Sequence, residues 1–161
     1  MRPTALGAAT AALPLLMLAL PGAARAQGVT CAVSATPVAF GQYLPVATAP
    51  DDSTGSISVN CSTGADLRLV LYSITLSGGG SGNPVARRML SGASQLGYQL
   101  YRDAARTSVW GNTAAQDVTG GGLLGRTFPF LASHTVYGRI PARQAVPVGA
   151  YVDTIQVVVT Y

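Results

Sequence analysis

From residue 28 onward apolar and polar residues alternate, and turn residues recur about every ten positions. That pattern predicts a β-sandwich or barrel of about seven strands, with no helix. Val29 to Ala35 and Val38 to Leu44 read as the first two strands, split by Pro37. Ala49 to Gly55 ("APDDSTG") reads as a turn cluster, followed by the alternating strand "SISVNC" (Ser56 to Cys61). Asp66 to Leu76 is longer and more apolar. It is expected to cross the centre of a sheet, with Leu67, Leu69 and Leu71 on one face. "SGGGSGN" (Ser77 to Asn83) reads as a flexible loop, "ARRML" as a short strand and Gln95 to Asp103 as another. The latter carries Leu96, Tyr98 and Leu100 on one face. Gly120 to Gly122 opens a second loose stretch. "HTVYGRIP" and "AYVDTIQVVVTY" are the last two strands, joined by a Pro- and Gly-bearing turn segment.

The first residues follow another rule. Arg2 precedes an uncharged apolar run from Ala5 to Leu20, and Ala24-Arg25-Ala26 is a small-x-small site. This predicts a secretory signal peptide over residues 1–26 and one exported domain over 27–161. The run is shorter than a membrane span and holds Pro14, and no later stretch is long enough to cross a bilayer. Export changes the reading of the cysteines. Cys31 and Cys61 are an even pair in an oxidising compartment and are expected to form a disulfide.

Charge narrows the partners. All ten basic residues are Arg and all six acidic residues are Asp. Setting aside Arg2 and Arg25 leaves eight against six. With no basic cluster beyond Arg87-Arg88, nucleic acid is not an expected partner. Weak net charge suits a chain that packs against copies or relatives of itself, and GC-rich coding favours the same Arg, Ala and Gly.

Candidate chemistry is sparse. His134, the one histidine, lacks a nucleophile and an orienting acid in any recognisable pattern, so it reads as a surface or edge-strand residue. Asp51-Asp52 lacks the spaced ligands of a calcium loop and reads as a solvated turn. The Gly-rich loop lacks the Lys and helix of a phosphate cradle. Arg87, Arg88 and Arg102 read as strand-end charges, and Trp110 as core. No enzyme activity, cofactor or metal is expected.

Several stretches carry a resemblance. "NC" closes an alternating strand, "FGQY" follows an early Cys, and "YQLYRDAARTSVWGN" and "VYGRIPARQAVPVGAYVDTIQVVVTY" complete the set. Together they are similar to the spore coat protein U domain, whose members are subunits of archaic chaperone–usher pili. The resemblance covers essentially the whole exported chain. It implies an incomplete immunoglobulin-like β-sandwich lacking its final strand, with an open apolar groove. A periplasmic chaperone lends a strand to that groove, and an outer-membrane usher exchanges it for the N-terminal arm of the next subunit. Ile155, Val157, Val159 and Tyr161 share one face by period two and are the expected groove residues; Asp153 matches the family pattern.

One feature departs from a polymerising subunit. Cleavage after Ala26 leaves only Gln27, Gly28, Val29 and Thr30 before Cys31, where a donor arm needs many more alternating residues. The expectation is therefore a minor or tip-proximal pilus subunit serving surface attachment and biofilm, exported to the periplasm and then the cell surface. The alternatives are a tip adhesin, with Phe128 and Phe130 in "LLGRTFPFL" as the adhesive loop, or a secreted coat-like protein that does not polymerise.

Overall fold

The computed structural model describes residues 28–161; the expected signal peptide lies outside them. Eight strands form: β1 (Val29–Thr36), β2 (Asp51–Thr63), β3 (Arg68–Leu76), β4 (Arg87–Ser91), β5 (Ser94–Tyr101), β6 (Val118–Leu124), β7 (Phe130–Ile140) and β8 (Val157–Thr160). Five make one sheet in the order β1-β2-β7-β5-β4, and three make a second in the order β6-β3-β8, with every pairing antiparallel. The two inner faces bury residues at period two: Ile57, Val59 and Cys61 on β2 against Val70, Tyr72, Ile74 and Leu76 on β3. Trp110 is fully buried, and its indole N–H donates to the Ile74 carbonyl at 2.9 Å, so the ring fills the core without a stranded donor. Cys31 and Cys61 sit directly opposite each other on β1 and β2 and are bonded, stapling the edge strand to its neighbour.

The "YRDAART" stretch is a tight turn after β5. The Asp103 carboxylate accepts the Thr107 and Ser108 backbone N–H groups, and Arg106 takes a left-handed φ of 58°. From there the Arg106 Nε–H donates to the Gly138 carbonyl, tying the turn to β7.

Several expectations need correcting. Val38 to Leu44 is not a strand. It runs across the inner face of the five-stranded sheet, over two glycines. A Cβ on Gly55 would lie 2.6 Å from the Thr36 carbonyl, and one on Gly138 would lie 2.6 Å from Val38 and 2.7 Å from Phe40. The apolar alternation is real, but the segment packs on the sheet instead of pairing beside it. Asp51 to Gly55 is not a turn: it opens β2, where Asp52 faces Arg139 and accepts two N–H groups from it at 2.7 and 2.8 Å. Cross-strand pairing outweighs the weak strand propensity of these residues.

Gly120 to Gly122 is not loose; it lies inside β6. The Tyr72 ring occupies the space of a Gly120 side chain, and the Phe130 ring that of Gly122. β3 does run through the centre of its sheet, but its Leu67, Leu69 and Leu71 face looks outward and its other face makes the core. His134 is half-buried and not on an edge strand. It lies on central β7 in register with buried Ile57, and its Nε2 is 2.8 Å from the Tyr72 hydroxyl of the facing sheet. Burial pushes its pKa below the ordinary histidine value.

Candidate functional site

The stretch from Tyr151 to Thr160 sets the site. Along it burial alternates without a break: Tyr151, Asp153, Ile155, Val157 and Val159 turn inward, and the residues between them face solvent. Hydrogen bonding alternates in the same phase. Val152 exchanges both backbone bonds with Leu90 of β4, at 2.8 and 3.1 Å. The Ser77 N–H donates to the Gln156 carbonyl, so Ser77 and Gln156 form a hydrogen-bonded pair. Along an antiparallel ladder such pairs alternate. Val158 and Thr160 therefore turn their backbone groups to β3, while Val157 and Val159, opposite Leu76 and Ile74, turn theirs to the open side. Among the described residues no strand pairs with that side.

Beside this edge lies a groove. Its other wall is the crossing segment with Val38 and Phe40, and its floor is Ile57, Leu100 and Val136. The cavity has a volume of ≈ 450 Å³. A second cavity of ≈ 410 Å³ continues it past Phe40, Met89 and Tyr151 towards Val146 and Tyr43. The gap also shows on β1. Val33 is in register with Val59 and shares its inward face, yet Val33 is 43 % exposed and Val59 0 %. A sandwich with both layers complete would cover both.

Sequence reasoning placed Ile155, Val157, Val159 and Tyr161 on one face. The first three are partly buried against the core, while Tyr161 follows the last paired residue and is largely exposed. Phe128 and Phe130 lie in different environments. Phe128 is exposed at the bend after β6, whereas Phe130 turns inward against the Tyr72 ring, at 6.0 Å between centroids. The bend at Gly125, closed by reciprocal backbone bonds with Phe128, sends the two rings to different environments.

Arg87 was misread, and what it does for Asp153 shows only in the fold. Arg87 is not a solvated strand-end charge; it is 1 % exposed. Its guanidinium donates to the carbonyls of Ser77, Leu76, Trp110 and Pro84 and to Gln99 Oε1, at 2.7 to 3.2 Å. Burial lowers its pKa, opposed by nearby Tyr98 and Asp153. These bonds fix the loop from Ser77 to Pro84, which is consequently ordered, with a short 3-10 turn at Gly79–Ser81. That loop in turn holds Asp153, whose Oδ1 accepts the Gly80 N–H and whose Oδ2 accepts the Tyr98 hydroxyl, both at 2.8 Å. Burial, then the hydrogen bond to Asp153, drive the Tyr98 pKa far above the ordinary phenol value, so Tyr98 is the donor. In sequence the cluster is scattered: Arg87 follows the glycine run by a few residues, and Asp153 stands far downstream, ahead of the last strand. Among the described residues no group of three or more His, Cys, Asp or Glu is placed to hold a metal ion, and no helix is long and apolar enough to cross a membrane.

Comparison with known proteins gives three findings. The family model described as the Spore Coat Protein U domain matches residues 18–158. Protein U of Myxococcus xanthus is 38 % identical over 130 residues, covering 76 % of this chain and 70 % of that protein. Among solved structures, the fold is similar to a chain in the CsuC–CsuE chaperone–tip adhesion subunit pre-assembly complex from the archaic chaperone–usher Csu pili of Acinetobacter baumannii. The TM-score is 0.54 at 21 % identity, over 83 % of this chain and 40 % of that one.

Proposed function

Because this chain belongs to the Spore Coat Protein U domain family, we propose that it is a structural subunit of an archaic chaperone–usher pilus, minor or tip-proximal in the fibre, serving surface attachment and biofilm. The observation that carries this reading is the open groove. Ile155 and Val157 line it with inward side chains, and Val157 and Val159 turn unpaired backbone groups to the open side, the two things an added strand needs. In this reading a periplasmic chaperone fills the groove first, and an outer-membrane usher directs its exchange for a strand of another subunit. The protein passes through the periplasm to the cell surface. The short segment between the expected cleavage point and Cys31 supports a place where no further groove is filled.

The family's description as a spore coat protein domain supports a second reading, a secreted coat-like protein that does not polymerise. Co-expression with a periplasmic chaperone of the archaic chaperone–usher class distinguishes the two. A soluble one-to-one complex is expected. A monodisperse, thermally stable monomer without chaperone affinity would overturn the pilus reading in favour of the coat-like protein.

A further inference from the structure

Asp153 is out of place in the groove. It is the one charged residue in an inward row of Tyr151, Ile155, Val157 and Val159, and it lines the larger cavity. It is also fixed. Oδ1 accepts the N–H groups of Gly80 and Thr154, and Oδ2 accepts the Tyr98 hydroxyl, each at 2.8 Å. Gly79, at a φ of +60°, lies so close that any side chain there would overlap the carboxylate. Buried Arg87 pins the loop that carries Gly79 and Gly80. A carboxylate has about four acceptor positions, and three are filled from within the fold. The remaining one, on Oδ2, receives no donor from the described residues.

Filling the groove shuts that position off from water. An apolar side chain seated against Oδ2 would leave the acceptor position dry and unmatched, whereas a hydroxyl would satisfy it. A carboxylate on the incoming strand would meet like charge. We propose that Asp153 is a specificity-determining acceptor, and that the strand this groove takes carries Ser or Thr at the inward position facing Asp153, with apolar residues at its other inward positions. This rests on reading the groove as a strand acceptor, and deepens that reading by giving the incoming strand a polar signature. A fixed polar group in an apolar cleft discriminates in this way because the wrong partner leaves it unpaired.

The test extends the exported chain past Tyr161 with a flexible Gly/Ser linker and an alternating strand whose inward positions are all valine. Threonine, which has valine's shape plus a hydroxyl, is then moved through those positions one at a time, and thermal unfolding is recorded. Expected is a loss of roughly 3 °C or more in Tm at every inward position but one, where threonine equals or exceeds valine. In Asp153→Ala that exception should vanish, and in Asp153→Asn, whose Nδ2 takes the Oδ2 place and donates to the threonine hydroxyl, it should persist. The scan in the unmodified chain decides the matter even where a variant fails to fold. An equal penalty at every inward position overturns the specificity while leaving the groove reading intact. Should no appended strand raise the Tm above that of the unextended chain, the groove reading falls and the specificity with it.

Discussion

Replacing Val157 with Asp probes the groove most directly. Val157 is in register with Leu76, which is 1 % exposed, and its side chain points to the same inner layer. In the open groove the introduced carboxylate keeps part of its water. When a strand closes over it, no cation on the groove floor of Ile57, Leu100 and Val136 stands ready to pair with it. The loss has two parts: the apolar burial of valine, about 1.5 kcal/mol at the low end, and the removal of an unpaired carboxylate from water, worth several kcal/mol more unless it is protonated. A total above about 3 kcal/mol weakens strand binding by roughly two orders of magnitude. Thr160→Asp makes the same chemical change on the outward phase of the same strand, where surface substitutions stay within about 0.5 kcal/mol. The assay is recovery of chaperone-bound subunit from the periplasm. Val157→Asp should abolish the complex and Thr160→Asp should largely retain it. Equal recovery would refute the assignment of this edge as a docking strand.

Thiol titration of the denatured, unreduced protein should find no free thiol, and Cys31→Ala with Cys61→Ala should cost about 3.5 kcal/mol, the loop-closure value for a separation of 30 residues. Arg87→Lys keeps the charge but offers three donors where the loop carbonyls and Gln99 take five N–H groups. The expected loss is about 3 kcal/mol or more, and an unchanged melting temperature would show that the network is dispensable. His134 has its folded pKa lowered by burial, so between that value and about 6.5 the unfolded chain binds the extra proton and stability rises with pH. Acidification from about pH 7 to 5 should therefore lower the melting temperature, and His134→Gln, which keeps a polar partner for Tyr72, should flatten that slope. A slope unchanged in His134→Gln would assign the acid sensitivity to another group.

What could be read along the chain was whatever depends on neighbours in sequence. Period-two alternation put Ile57 with Val59, Leu96 with Tyr98 and Leu100, and Ile155 with Val157 and Val159 on common faces, because successive side chains of an extended strand point to opposite sides. Two cysteines in an exported chain sufficed for the disulfide. Alternation does not say which face is covered. On β3 the leucine face looked the more apolar, yet Val70, Tyr72, Ile74 and Leu76 make the core, because the opposing sheet lies on that side. Nor does it distinguish a strand that pairs from a segment that lies across a sheet. Val38 to Leu44 crosses over Gly55 and Gly138, residues distant in sequence that leave it room. Arg87 and His134 were misread for the same reason. Whether a polar side chain meets solvent or a set of buried partners depends on groups brought from other strands, and those meet only when the two sheets close.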